Sequence, residues 1–469
     1  MRRTNLLARP ARDGREPGGG PWGPSAVAAL PLRRRALETG LVAIGLAILS
    51  FWVVAAHVFA QPRLSPFDEL VYIDYVVKVP EQGVVRMGEP LGPVAREVYA
   101  CRGVMYFGNT AEAFCGPAPG ADADYPNYGV TTGDIYSPVY PAIAYLAMRI
   151  VMLAGVADPV DAMRIGGAFW LAAAGGFLYA ALRRLGAGVL AAVSANVMLL
   201  ASLPALWNHS FVTTDATLLP AGAVVLWLCL RLLQDGRGLV LMPLVSALLV
   251  LMKFQNVGVL MAGAFLLLSP LPGRIREEGG GDGLLRALCR PHAAAVGLSA
   301  LCAVAALGAW LAVRRLIAIR TPPGHTPYEP LDGVDLLSEP LRFLLGPAVA
   351  IDPEPFGPWA VLLGQLFTIV YVVGLVGGAL LSQARTPAST IARAALLAAV
   401  LLGPVLMGVV LLESGRYFAL PPRYGAGFIP WALAALCAGT LRERWPARVM
   451  AALAAAMLVI CQARVVLQI

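Results

Sequence analysis

The segment Ser65-Pro66-Phe67-Asp68-Glu69 sets two carboxylates side by side, a few residues beyond the first long apolar run. Adjacent carboxylates at a membrane boundary are costly unless they are solvated, paired or used. Tyr72, Asp74 and Tyr75 follow. A helix over about 66–79 would put Asp68 and Tyr72 one turn apart on one face. A carboxylate held there and partly desolvated has the chemistry of a general base, able to take a proton from an acceptor hydroxyl. Other polar residues break apolar runs further along: Asp215 after Thr213 and Thr214, Lys253 in Lys253-Phe254-Gln255-Asn256, and Arg423-Tyr424 after two prolines. Each has a plainer reading. Asp68, Glu69 and Asp215 could cap helices, where a negative charge meets the positive end of the dipole. Lys253 could snorkel to the interface, and Arg423 could anchor a helix end.

The histidines offer less. There are four, with no His-x-x-x-His spacing, so a zinc site is not expected. His209 and His325 are expected outside the membrane, and His209 could donate to a substrate hydroxyl. Tyr125, Tyr128 and Tyr136 could line a binding site, although interfacial tyrosines usually anchor. Gly279-Gly280-Gly281 lacks the Lys-Ser/Thr of a phosphate loop and reads as a flexible turn. No cofactor is assigned with certainty; a divalent cation is a possible requirement, with its ligands unknown.

These residues are set in a strongly apolar chain. Of 469 residues 58% are hydrophobic and 14% charged, against roughly 45–50% and about 25% in soluble globular proteins. Mean hydropathy is +0.71. That excludes a soluble enzyme, a disordered chain, a coiled coil and a disulfide scaffold. The apolar runs are long and continuous, as helices require and a barrel does not. The net charge of +8 sits at membrane boundaries, so no nucleic-acid partner is expected. Lys78 and Lys253 are the only lysines; such an Arg bias fits a GC-rich bacterial genome, and hence a bacterial plasma membrane.

Residues 1–38 carry a charge of +5 and are expected to be a disordered cytoplasmic tail, followed by a transmembrane unit over 39–469. The long loop 61–163 should lie outside, since its first part, 61–137, balances at −5. Cys101 and Cys115, on that oxidising face, form a candidate disulfide, with two free thiols as the alternative. Residues 138–157 are read as an interfacial helix rather than a span, because this choice puts nearly every short basic loop inside. The spans are then about eleven: 41–60, 164–182, 188–206, 215–233, 238–252, 256–271, 293–313, 359–381, 394–412, 424–441 and 449–467. A second long outer loop covers 314–358. Arg314, Arg315 and Arg320 sit at its start, against the positive-inside rule, and therefore have a task there or break the rule. No internal repeat of the transporter kind is present.

An Asp-Glu pair just after the first transmembrane helix resembles the signature of the GT-C superfamily of polyprenyl-phosphate-sugar-dependent glycosyltransferases. These include the protein O-mannosyltransferases and the lipid A aminoarabinose transferases. The order of further segments is similar to theirs: Tyr136-Ser137-Pro138-Val139-Tyr140-Pro141 at an interfacial helix, Arg164-Ile165-Gly166-Gly167 at the second span, Arg183-Arg184-Leu185-Gly186 before the third, Thr213-Thr214-Asp215 before the fourth, Leu251-Met252-Lys253-Phe254 at a short-helix break, and Arg423-Tyr424 with Pro430. The resemblance covers about 40–440. It departs at Val71-Tyr72, where many relatives carry Arg or His.

The resemblance implies a membrane glycosyltransferase moving a hexosyl or pentosyl group from a polyprenyl-phosphate donor to a glycan, lipid or protein acceptor of the cell envelope, outside the cytoplasm and with inversion. Asp68 would be the base, Glu69 its partner and Asp215 a second active-site carboxylate. Lys253, Arg423 and Arg314 or Arg315 would hold the lipid phosphate, with Tyr72, His209 and Tyr424 lining the substrate. The physics agrees, since a buried phosphate needs cations and Arg can bind it bidentately. Two other readings stay open: a transporter or lipid flippase, which should carry ionisable groups near the midplane, and an assembly protein that kept the fold without the activity.

Overall fold

A computed structural model describes residues 32–105, 115, 121–270, 290–320, 333–414, 417, 419–439 and 444–463. Of the described residues 80% are helical, and none forms a strand. It is an all-α polytopic membrane protein.

Helix α1 covers Leu32–Ala60, so helix begins inside the tail expected to be unstructured; residues 1–31 lie outside the described part. The segment 61–163, expected as an outer loop, is folded. It contains α2 (Glu69–Gln82), α3 (Pro93–Arg102), α4 (Val139–Leu153) and α5 (Pro159–Ile165). Prolines at the first turn start α3 and α5, and the Asp158 carboxylate caps α5 by accepting from the Asp161 amide. Asp74 is used structurally, pairing with Lys78 at 2.8 Å and accepting from the Gly92 amide at 2.8 Å. Cys101 and Cys115 are joined by a disulfide, Cα–Cα 4.5 Å, and Arg102 ties the same corner to Asp158 and Asp161.

The bundle continues with α6 (Gly167–Arg184), α7 (Val189–Leu200), α8 (Leu203–Ser210), α9 (Leu218–Asp235), α10 (Leu241–Met252), α11 (Val257–Leu268) and α12 (Pro291–Leu316). Then come α13 (Gly333–Leu345), α14 (Pro358–Val372), α15 (Pro387–Ser414), α16 (Ile429–Gly439) and α17 (Arg444–Ala463). Among the described residues seven helices are long and apolar enough to cross a bilayer, or eight if the pair α7 and α8, bent by 56°, counts as one. The eleven expected from apolar runs included 238–252, 256–271 and 424–441. These fold as α10, α11 and α16, of 12, 12 and 11 residues. Twelve residues reach about 18 Å, against roughly 30 Å of hydrocarbon. An apolar run reveals hydrophobicity but not where the helix axis turns. Helix α4, with 15 residues, is likewise short, at about 22 Å.

One end of the bundle is closed by ion pairs of Arg183 with Glu38 and Arg184 with Asp235, both at 2.9 Å. At the other end Arg314 reaches Asp134 of the segment before α4 at 2.8 Å, and the Trp310 indole donates to the Ile135 carbonyl. Close helix approach depends on small residues, as is usual for packed helices in membranes. A Cβ on Gly167 would collide with the His209 carbonyl, and one on Gly222 with the Gly427 carbonyl. Gly427 belongs to the 3₁₀ segment Pro422–Phe428 that carries Arg423. Gly222→Ala is therefore expected to cost about 1–3 kcal/mol, read as a lowered thermal midpoint of the protein in detergent.

Candidate functional site

Asp68, Asp215, Lys253 and Arg423 meet at the end of the bundle where α10 stops and α9, α11 and α16 start. Each is brought there by a break in regular helix. The Asp215 turn Thr214–Thr217 is 3₁₀ and opens on Thr213, whose hydroxyl accepts from the Asp215 amide. Lys253 is the extended residue (φ −159°, ψ 122°) between α10 and a 3₁₀ turn. Arg423 follows Pro421 and Pro422, which confine the backbone before its 3₁₀ segment.

Asp215 is the hub. Its Oδ1 lies 2.8 Å from Lys253 Nζ, and its Oδ2 accepts from Arg423 Nε at 2.8 Å. All three are buried, Lys253 to 1% exposure. Lys253 also donates to Thr214 Oγ1 at 3.1 Å. Aromatic faces complete the lining: Lys253 Nζ lies 4.7 Å from the Tyr424 ring and 5.4 Å from Tyr136, while Arg423 stacks 4.6 Å over Phe67 and 5.3 Å over Tyr424. Tyr72 tilts against Tyr136 at 5.3 Å, and its hydroxyl meets Thr214 Oγ1 at 3.3 Å. The Asp215 turn is not a simple cap, since its carboxylate is spent on two cations.

Asp68 does not lie within a helix, as the expected span 66–79 had it. It is the residue before α2, in the left-handed region at φ 61°, ψ 5°, and its side chain makes no capping hydrogen bond. Its carbonyl, not its carboxylate, accepts from the Val71 and Tyr72 amides. A non-glycine residue held there carries strain of order 1–3 kcal/mol, which Asp tolerates better than most. The residue keeps open surface, although protein atoms crowd around it. Desolvation raises its pKa above the usual carboxylate range, against the pull of Arg423 and Lys253. Burial also pushes Tyr136 up to about 12 and Tyr72 well above its ordinary value, Tyr136 and Asp68 adding to the shift of Tyr72. Both phenols stay neutral and can only donate or accept hydrogen bonds.

A cavity of about 460 Å³ adjoins Arg423 and Phe67. Its other walls are apolar, from Val349, Ile351, Pro353, Pro421 and Pro422, with Asp352 among them. Among the described residues no three His, Cys, Asp or Glu side chains cluster as a metal site would need.

The other candidates are placed elsewhere. Glu69 is fully buried in a bidentate pair with Arg164, at 2.8 and 2.9 Å, and accepts from the Ser65 and Val212 amides at 2.7 and 2.9 Å. With four donors its carboxylate is saturated, and it ties α2, α5 and the segment after α8 together. His209 is buried in helix packing, its Nδ1 at 2.8 Å from the Ala205 carbonyl. Arg314 belongs to the Asp134 pair; Arg315 is exposed. His325 and Gly279-Gly280-Gly281 lie outside the described residues. Sequence reasoning missed Arg164 as the partner of Glu69, and Phe67 and Thr214 as lining.

Residues 137–280 match the family model of the dolichyl-phosphate-mannose-protein mannosyltransferases, a GT-C-type family. No curated protein and no solved structure matches the chain. The matched stretch runs from the start of α4 past α11 and contains Arg164, Asp215 and Lys253. The GT-C resemblance read from the sequence is thus met over this stretch, and the match supports a membrane glycosyltransferase of that type.

Proposed function

We propose that the chain transfers a sugar from a polyprenyl-phosphate donor to a hydroxyl of a cell-envelope acceptor, at the extracytoplasmic face of a bacterial plasma membrane. The observation that carries this reading is the buried Lys253–Asp215–Arg423 triad set beside an uncapped, strained Asp68. Two buried cations sharing one carboxylate can exchange part of that pairing for a phosphate, and Arg423 can present its remaining N–H donors to phosphate oxygens. Asp68 takes the proton from the acceptor hydroxyl. The acceptor oxygen forms a bond to the anomeric carbon, and the bond from that carbon to the phosphate oxygen breaks, leaving its electron pair on the phosphate. Negative charge thereby leaves Asp68 and grows on the phosphate, toward Lys253 and Arg423. Stabilising charge where it develops is the usual large electrostatic part of catalysis. Tyr72, Tyr136 and Tyr424 line the path as neutral hydrogen-bonding and stacking groups.

The reading is tested with purified protein in liposomes supplied with a polyprenyl-phosphate hexose and an envelope-lipid acceptor. Transfer to the acceptor is expected, and Lys253→Met should abolish it. Movement of the intact donor across the bilayer without transfer would instead identify a flippase.

The raised pKa of Asp68 fixes a pH dependence. A base must be deprotonated, so kcat/KM should rise with pH through the free-enzyme pKa of Asp68. That ascending limb should fall above the ordinary carboxylate range, near pH 4. Arg423→Gln removes the cation that most opposes the shift and should move the limb to still higher pH. A limb that stays in place would detach Asp68 from proton transfer.

A further inference from the structure

Helix α13 is built inside out for a water-facing element. Val334, Leu337, Leu341 and Leu345 fall at i, i+3, i+7 and i+11, which makes one stripe on a helix. All four are exposed, Leu337 to 76% and Val334 to 71%. The opposite side points inward and holds Phe343 and the carboxylate of Glu339, both at 0%. Glu339 is hooked in place: its Oε1 accepts from the Tyr417 hydroxyl at 2.6 Å and pairs with Arg342 at 2.8 Å. Its backbone carbonyl packs so closely on α15 that Gly403 has no room for a Cβ.

Gly403 is inside a candidate membrane span, Pro387–Leu412. It lies nine residues before the end of that span, about 14 Å along the helix axis. The apolar stripe of α13 therefore flanks a span at a level below that span's end, and Leu412, at the end itself, is 90% exposed. The chain leaving α13 is equally tightly tied to the ion cluster. A Cβ on Gly346 would strike Pro422, and one on Gly425 would strike Pro347. Residues 346–353 then form a wall of the cavity beside Arg423.

We infer that α13 is seated in the lipid of the bilayer by its Val334–Leu337–Leu341–Leu345 stripe. The covering partner is lipid rather than protein, because the helix that bears the stripe is packed on a candidate span about 14 Å below that span's end while its Glu339 carboxylate is turned inward. An amphipathic helix lying in an interface buries this kind of face among acyl chains. Seating α13 in this way anchors Gly346, where the wall of the cavity beside Arg423 begins, next to the lipid. The inference concerns the surface alone and stands whether or not transfer is the reaction catalysed.

The test uses the full chain in phosphatidylethanolamine–phosphatidylglycerol liposomes, with the cysteines outside the disulfide replaced by alanine. Leu337→Cys and Leu341→Cys carry a small fluorophore in turn, with Glu354→Cys, at an exposed polar position, as the water-side reference. Both leucine positions should be quenched severalfold more than the reference by lipid carrying a nitroxide high on its acyl chain. Unlabelled, they should resist a membrane-impermeant maleimide that modifies Glu354→Cys. Two results would overturn the inference: modification at the rate of Glu354→Cys, which puts the stripe in water, or protection from maleimide without nitroxide quenching, which puts a second copy or another protein on it.

Discussion

Asp68→Asn is expected to lower kcat for sugar transfer by roughly 10²–10⁴, the range for loss of a positioned general base, while the protein folds normally. The backbone explains the choice of Asn. At φ 61° most side chains are strained, and Asn is the substitute most at ease there. The carboxylate makes no capping bond, so its loss removes no helix start. The variant also deletes a negative charge beside Lys253 and Arg423. An anionic donor should then bind as well as before or better, and KM should stay level or fall while kcat collapses. That split separates a missing base from a damaged binding site. The measurement is initial rate against donor concentration in liposomes, with thermal midpoint as the folding control. Wild-type kcat in a well-folded Asp68→Asn protein would sink the mechanism.

Arg164→Met is expected to be the most damaging substitution in the fold, costing about 3–5 kcal/mol, because it strands the Glu69 carboxylate unpaired where both partners are at 0% exposure. That is a large part of the roughly 5–15 kcal/mol by which proteins are stable. Glu69→Gln should also destabilise, since all four bonds to this carboxylate are donated to it and an amide nitrogen would face a donor. The double variant Glu69→Leu with Arg164→Met should recover part of the loss, as buried pairs replaced together often do. Thermal unfolding in detergent reads all three. Specific activity per folded molecule should change far less for Glu69→Gln than for Asp68→Asn. A Glu69→Gln protein that melts like the wild type but turns over slowly would make Glu69 a reacting group rather than a positioning residue.

The two neighbours Asp68 and Glu69 show what was legible in the chain. Their position after the first apolar run was visible, and so was the order of Asp215, Lys253 and Arg423 at breaks in later runs. Composition alone settled an all-helical membrane protein. The division of labour within the pair was not visible. It depends on Arg164, 95 positions away, and on one left-handed residue that turns the two side chains apart, and neither leaves a local period. Two of the expected spans fold as short helices for a related reason. The runs at 238–252 and 256–271 are as apolar as any, but Lys253 ends one helix and starts the next, drawn there by Asp215 across the fold. Arg314, which stood against the expected charge rule, is paired with Asp134, again a contact distant in sequence.

The triad of Asp215, Lys253 and Arg423 also constrains how the chain can be made. Synthesis proceeds from the N-terminus, so the carboxylate leaves the ribosome first, the lysine soon after, and the arginine long after both. A lone charge inside a nascent membrane bundle is expensive. The interval between Lys253 and Arg423 is therefore spanned by a matched pair of opposite sign, and the helical hairpin of α10 and α11 enters the lipid already neutralised by the Asp215 turn before α9. The last cation arrives at a prepared seat, so assembly of the cluster doubles as a check that the C-terminal helices have docked.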